Sequence, residues 1–349
     1  MSTPQNSQFT RRGFFGASLG TALTATVAPT AFAAPTDAPV PAAPPADFPE
    51  TSFALTGADV KIYSKAIAEP VRVLQISDTH LFLDDERGAD YRDNSKRMAA
   101  AYNKTKHFKT GADTNPIDEL KKILADVTPE KYDAVVLTGD IVSFPSAAGV
   151  DFLLENLGAT GVPYYYIAGN HDWHFEGLPG PSADLRAEWT AKILAPLYPK
   201  DADPLAYSVD VKGVKLLLVD DSTYEILPNQ LDFVRRELAK GLPTALFMHI
   251  PLFAPGRSVG YGVGHPKWGA ATDGGWQIER RQRWPEAGHT ETTYAFRRDV
   301  LAAPNLVGVF TGHVHLSSLD VCEGKANLTA RAAVDGSTVK IDFLPLGER

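Results

Sequence analysis

Five short clusters in this 349-residue chain combine residue types that bind cations or move protons. They are Asp78-Thr79-His80, Gly139-Asp140, Gly169-Asn170-His171-Asp172, His249 and Gly312-His313-Val314-His315, and five of the nine histidines fall in them. Carboxylate, amide oxygen and imidazole, with no thiolate, form a donor set for Mn, Fe or Zn and do not choose among the three. In Asp78-Thr79-His80 and His313-Val314-His315 the donors stand at i and i+2. Residues two apart in an extended chain point the same way, so Asp78 and His80 can face one cation, and His313 and His315 can face the same pocket. Asp140 follows a glycine that permits close backbone approach, and one carboxylate can bridge two cations. Two divalent ions about 3.5–4 Å apart can clamp both ends of an in-line phosphoryl displacement, and a water bound to them can have its pKa lowered to about 7. A histidine with a carboxylate nearby, as in His171-Asp172, can protonate a leaving alkoxide, typically a ~10²–10⁴-fold contribution. Singly the clusters are weak signals, because a Gly-Asp pair is usually a turn. Their force is joint: all five occur in order, each at the end of an apolar run.

Those runs are the elements that must position the clusters. Val71–Ile76, Ala134–Leu137, Tyr164–Ile167, Lys215–Val219, Ala245–Met248 and Leu306–Phe310 read as buried strands, rich in Val, Ile, Leu and Tyr. Helical faces lie between them, at 116–127, where a proline opens the segment, and at 229–240, where Gly241 is the stop. Weaker helical patterns cover 147–157, 183–194 and 291–301. Strand and helix alternate, so the class is α/β. Ligands in open α/β sheets collect at the carboxyl ends of strands, where the clusters sit. Residues 51–56 and 60–63 predict a hairpin around Gly57, and 318–322, 328–334 and 338–343 predict late strands with Asp335-Gly336 as a turn. Two sheets sandwiched between helices accommodate all of these. Residues 83–115 and 253–290 read as long loops. The second holds Trp268, Trp276, Trp284 and the run Glu279-Arg280-Arg281-Gln282-Arg283, and it is a candidate substrate-selecting lid. Its glycine run at 260–264 has no strand before it and reads as flexible.

The combined pattern Asp-x-His, Gly-Asp, Gly-Asn-His-Asp, His, Gly-His-x-His resembles the calcineurin-like metallophosphoesterases over residues 71–315. The stretch Leu74-Gln75-Ile76-Ser77-Asp78-Thr79-His80 is similar to the branch that contains cyclic-nucleotide phosphodiesterases. Met248-His249-Ile250-Pro251-Leu252 is similar to purple-acid-phosphatase-like proteins. In true purple acid phosphatases a tyrosine three residues after the Gly-Asp ligates ferric iron; here that position is Ser143. The resemblance implies a four-layer α-β-β-α sandwich of two mixed sheets. It also implies one metal held by Asp78, His80, Asp140 and His315, and a second by Asp140, Asn170, His249 and His313. Asp140 would bridge, His171 would be the general acid, and Asp172 its orienting partner. The implied activity is hydrolysis of phosphate mono- or diesters by in-line attack of a hydroxide between the metals.

The flanking sequence bears on where this chemistry happens. Arg11-Arg12 precede a short apolar stretch and Ala31-Phe32-Ala33, so residues 1–33 read as a secretory signal resembling the twin-arginine type. The partner implied is the twin-arginine export machinery, and the location is periplasmic or secreted. The stretch is too short and broken to anchor in a membrane. Residues 34–50, dominated by Ala and Pro, read as a linker, and 51–349 as the folded domain. Without residues 1–33, whose only charges are the two arginines, the formal net charge goes from −8 to −10. That balance argues against nucleic acid as a partner and leaves room for a small phosphate ester, since metals reverse the local field. The single cysteine, Cys322, excludes an internal disulfide and reads as a buried apolar residue. His107, His174, His265 and His289 read as non-ligands. Two rival functions are a silent binding protein on the same fold, which the complete ligand set disfavours, and a metal-dependent nuclease, which the acidic charge disfavours.

Overall fold

The computed structural model describes residues 51–102, 106–107, 110–269, 271–272, 288–322, 325–329 and 338–346. In chain order the strands are β1 (Thr51–Thr56), β2 (Asp59–Ser64), β3 (Val71–Ile76), β4 (Ala134–Thr138), β5 (Tyr164–Ile167), β6 (Ala206–Val211), β7 (Val214–Val219), β8 (Thr244–Phe247), β9 (Leu306–Thr311), β10 (Ser318–Cys322), β11 (Lys325–Thr329) and β12 (Thr338–Pro345). The α-helices are α1 (Arg92–Tyr102), α2 (Pro116–Ala125), α3 (Ala147–Ala159), α4 (Ser182–Trp189), α5 (Pro228–Leu238) and α6 (Glu291–Ala302). The strands form two six-stranded sheets, ordered β1-β2-β12-β3-β4-β5 and β10-β11-β9-β8-β7-β6. Both are mixed: β3, β4 and β5 are parallel, as are β7, β8 and β9, whereas β1–β2, β12–β3, β6–β7 and β10–β11 pair antiparallel.

The sheets pack face to face, and the side-chain alternation shows it. Leu216 and Leu218 of β7 share a core with Ile62, Ile341 and Phe343 of the other sheet. Leu217 and Val219, on the opposite face, pack with Leu231 and Val234 of α5 and Phe296 of α6. Strands covered on both faces read as unbroken apolar runs, which is why β3, β4, β7 and β9 were legible. Three helix starts are set by side-chain caps. Asn115 accepts from the N–H of Asp118 at 2.9 Å ahead of Pro116, Ser146 caps Gly149, and Thr290 caps Thr293.

Two polar ties join the sheets. Gln75 Nε2, fully buried in β3, donates to Thr138 Oγ1 at 2.9 Å and to the carbonyl of Thr311 at 3.0 Å. Those two threonines end β4 and β9, so the tie lies directly beneath the strand-end clusters. At the edge strand β5, the Tyr207 phenol accepts the N–H of Tyr166 at 2.9 Å and donates to its carbonyl at 2.8 Å.

The hairpin around Gly57, the six strands read from apolar runs (β3, β4, β5, β7, β8 and β9) and the helices at 116–125, 147–159, 228–238 and 291–302 lie where the sequence places them, within a few residues. Three expectations need correction. Residues 83–115 are not one loop: a 3-10 turn at Glu86–Tyr91 leads into α1. Of the helix, Ser95 and Met98 are buried, so it shows almost no apolar periodicity. The glycine run at 260–264 is tied down, with the N–H of Val263 on the carbonyl of Pro251 and the N–H of Phe253 on the carbonyl of Val263, both at 2.8 Å. The third is the strand expected at 328–334: β11 runs over Lys325–Thr329, and residues 330–337 lie outside the described residues. β6 has no solid apolar run to announce it, since its apolar residues alternate with polar ones. Residues 1–50, Trp276, Trp284, residues 279–283 and the turn at Asp335-Gly336 lie outside the described residues. Cys322 is buried, and no described helix is long and apolar enough to cross a membrane.

Candidate metal centre

The loops that follow β3 and β4 continue the parallel ladder past the strands. The N–H of Asp78 bonds to the carbonyl of Gly139 at 3.0 Å, His80 to Asp140 at 2.9 Å, Leu81 to Ile141 at 2.8 Å, and Ser143 back to Leu81 at 2.7 Å. Within this zipper the chain turns sharply. Asp78, His80, Asp140, His313 and His315 all have positive φ, between 48° and 70°. The extended geometry presumed for the i, i+2 pairs is therefore not what aims them. Left-handed residues turn each donor inward, at a cost on the order of 1–3 kcal/mol each, and such strain concentrates at functional sites.

Glycines make the close approach possible. Gly139 (φ +85°) lies against the backbone of Gly169, and a Cβ there would also stand 2.7 Å from His249 Nδ1. At Gly312 a Cβ would overlap the Ser77 hydroxyl and the Asp78 carboxylate.

All seven predicted donors converge. Asp78, His80, Asp140 and His315 offer atoms within 4.8 Å of one another, and Asp140, His249 and His313 do the same, so Asp140 belongs to both sets. In the first, His80 Nε2 lies 3.1 Å from His315 Nε2 and 4.0 Å from Asp140 Oδ2, and His315 Nε2 lies 3.5 Å from Asp78 Oδ1. In the second, Asn170 Oδ1 lies 3.1 Å from His249 Nε2 and 3.0 Å from His313 Nδ1, and His249 Nε2 lies 3.1 Å from Asp140 Oδ2. Atoms bound about 2.0–2.1 Å from one ion sit on the order of 3 Å apart, so the two sets fit two cations sharing Asp140.

The electrostatics agree with that donor set. Burial pushes His80 down to about 4 against the pull of Asp140, and burial with the charge of His249 pushes His313 down to about 3, so both imidazoles are neutral at pH 7. Burial works to raise Asp78 and Asp140, but the histidines outweigh it and both stay below the usual carboxylate range. His249 is the exception. Burial opposes its charge, yet Asp140 and Asp78 lift it to about 10, so without metal its ring carries the proton that a cation would replace.

Supporting groups fix the rings. His249 Nδ1 donates to the Thr138 carbonyl at 2.8 Å, which can only accept, and this leaves Nε2 facing Asn170 and Asp140. The N–H of His313 meets both oxygens of Asp78, at 2.9 and 3.0 Å, and joins the two sheets' loops. Ser143, the tyrosine position of purple acid phosphatases, is buried and donates to the His80 carbonyl at 2.8 Å.

His171 lies beside the first set, its ring centroid 5.0 Å from that of His80, and its N–H donates to Asp140 Oδ1 at 2.7 Å. Asp172 is placed differently from expectation. Its oxygens accept the N–H groups of Asp140 at 2.9 Å, Gly169 at 2.7 Å and Val142 at 2.9 Å. It therefore pins the loops after β4 and β5 together, where an orienting role toward His171 was expected. Burial and the nearby Asp140 push its carboxyl up to about 7.

His174 is buried with its ring 5.7 Å from that of His171, whereas His265 packs on Phe253 and His289 bonds to Glu225, outside both sets. Two supporting residues, Asp221 and Tyr224, were not singled out from the sequence. Asp221 Oδ1 accepts the N–H groups of His249 and Ile250 at 3.1 and 3.0 Å, and Tyr224 Oη lies 2.6 Å from His313 Nε2. The available signal was Asp220-Asp221-Ser222 directly after β7, a sixth polar cluster at a strand end. A cavity of about 540 Å³, lined in part by Lys200, Tyr207, Phe233 and Arg236, holds none of the predicted site residues.

Residues 71–317 match the family model described as calcineurin-like phosphoesterase. The chain belongs to that family. Among curated relatives of this calcineurin-like chain, a probable cyclic nucleotide phosphodiesterase of Psychrobacter arcticus is 32% identical over 124 residues, 33% of this chain and 41% of the relative. Glycerophosphodiester phosphodiesterase GpdQ of Enterobacter lignolyticus is 30% identical over 132 residues, 35% of this chain and 43% of the relative. The aligned stretches thus span about two fifths of these relatives' length. Among solved structures, a dimetal phosphatase from Danio rerio aligns over 75% of this calcineurin-like chain and 87% of its own at 12% identity, with a TM-score of 0.46.

Proposed function

We infer that this chain is an exported, metal-dependent phosphoric ester hydrolase whose centre takes two cations. The observation that carries the reading is the single carboxylate of Asp140 shared by two convergent donor sets. When bound, such a pair supplies positive charge against the phosphoryl oxygens and makes water acidic enough to attack near neutral pH. The protein's own part is placement. Asp78, His80 and His315 would hold one cation, Asn170, His249 and His313 the other, and Asp140 both. Mn, Fe and Zn all suit the donors. His171, next to the first set, would hand a proton to the leaving-group oxygen. His315, with 33% of its side chain exposed, and the neighbouring Leu316, 62% exposed, mark the open side from which substrate enters.

Small phosphodiesters come first as substrates, because both curated relatives described above are named as phosphodiesterases. Export rests on Arg11-Arg12, the apolar stretch after them and Ala31-Phe32-Ala33, with the twin-arginine machinery as the partner. The test of the activity is turnover of bis-nitrophenyl phosphate and nitrophenyl phosphate with added Mn²⁺, alongside elemental analysis. Two metals per chain with hydrolysis of the diester is the expected result; two metals with no turnover of either ester would sink it. For export, protein recovered outside the cytoplasm should begin at Ala34, and replacing both arginines by lysine should retain it inside. An intact N-terminus on exported protein would refute the signal.

A further inference from the structure

We propose that Tyr224 is the positioning residue that turns His313 into a ligand through Nδ1, an inference that rests on the two-metal reading above. A histidine can bind a metal through one nitrogen only if that nitrogen is free of its proton, and the partner of the other nitrogen decides which one that is. For His249 the Thr138 carbonyl makes this choice. Among the described residues, His313 has a phenol in that place where His249 has a carbonyl. Its Nε2 lies 2.6 Å from the Tyr224 phenol oxygen, while its Nδ1 faces Asn170 Oδ1 at 3.0 Å. With the proton on Nε2 and donated to the phenol oxygen, Nδ1 presents its lone pair to the space shared with Asn170, His249 and Asp140. With the phenol as donor instead, Nδ1 would carry the proton and could not ligate.

The placement of Tyr224 is costly and braced, as a dedicated group would be. Its φ is +63°, a conformation that bulky residues seldom adopt, and its N–H is held by the Asp221 carbonyl at 2.7 Å. The ring is buried, edge-on to His313 with centroids 5.3 Å apart, and stacked on Trp268 at 5.4 Å; Trp268 in turn stacks on His289 at 4.7 Å. The same short loop carries Asp221, which holds the His249 backbone. One loop after β7 thus addresses both histidines of a single donor set.

The test is metal titration by calorimetry on the whole chain, wild type against Tyr224→Phe, which removes the hydroxyl and keeps the stacked ring. Wild type should take up two metals. The variant should bind one with unchanged affinity and the other 10–100-fold more weakly, the usual cost of removing a group that orients a ligand. The visible spectrum of the cobalt-substituted protein should change in the bands of one site only. A purely structural role for the ring predicts two metals with wild-type affinities and an unchanged spectrum, and that result would overturn the proposal. Nitrogen NMR of His313 in the zinc-loaded wild type gives an answer even if the variant does not fold: a proton on Nε2 agrees, a proton on Nδ1 refutes it. A wild-type chain that takes up no metal would overturn the centre itself, and Tyr224 with it; a two-metal wild type with an unaltered variant would overturn Tyr224 alone.

Discussion

His80 and His315 meet Nε2 to Nε2 at 3.1 Å, although 235 residues of chain separate them. The two rings come from different sheets, His80 from the loop after β3 and His315 from the loop after β9. His80 is buried and neutral at pH 7, so one of its ring nitrogens carries a proton and the other a lone pair, and two Nε2 atoms this close need a proton or a cation between them.

The shared carboxylate should be the least replaceable group. Asp140→Asn is expected to lower metal content from two per chain to fewer than one and to take turnover below detection. Elemental analysis with a diester assay checks this, and a variant that keeps both metals and turns over would refute the bridge.

A different pattern is expected for His171→Ala, since His171 belongs to neither donor set. Metal content should stay at two, while esters with poor leaving groups slow by ~10²–10⁴-fold and nitrophenyl esters much less. An equal loss on both classes, read as kcat/KM over a leaving-group series, would count against proton donation.

Proton competition fixes the pH dependence of metal uptake. Without metal, His249 has a pKa of about 10, so binding must expel its proton below that pH. Affinity at this site should rise as pH rises, by about tenfold per pH unit for one proton released. The metal-free chain should respond in the opposite sense. A folded-state value raised from 6.5 to about 10 stabilises the fold fully below pH 6.5, and the benefit is lost as pH climbs through 10. Calorimetric titrations and thermal melts of chelator-treated protein at pH 6.5 and 10 test both signs.

Gly312→Ala puts a methyl group into the Ser77 hydroxyl and the Asp78 carboxylate. A loss of about 1–3 kcal/mol in folding stability is expected, the usual range for overpacking, together with loss of metal at the Asp78 side. Denaturant melts and metal analysis would show it; unchanged values would mean the loop after β9 has room to shift.

Much of this centre could be read before any coordinates. Buried parallel strands announce themselves as solid apolar runs, and the residue that ends each run is where a ligand belongs, so Asp78, Asp140, Asn170, His249, His313 and His315 were all exposed by position and type together. What failed to show has physical causes. α1 buries Ser95 and Met98 with its other described positions half-buried or exposed, so it has no continuous apolar stripe to detect. Edge strand β6 alternates with its partly exposed residues and lacks the solid signature of its neighbours. Tyr224 acts through a left-handed turn and a phenol oxygen, and neither spacing nor residue type distinguishes it from a core tyrosine. Asp172 looked like part of an acid pair because it adjoins His171, but its three main-chain bonds make it a clasp between loops.

The Tyr207 phenol, seated on the N–H and carbonyl of Tyr166, has a consequence for how the folded chain behaves among its own copies. An outermost strand with unclaimed rungs invites a neighbour's strand to join it. One hydroxyl, answering both the donor and the acceptor of a single residue, shuts that door at mid-strand. Take the oxygen away and a fully buried N–H and carbonyl lose that partner, a cost of about 1–3 kcal/mol that loosens the edge itself.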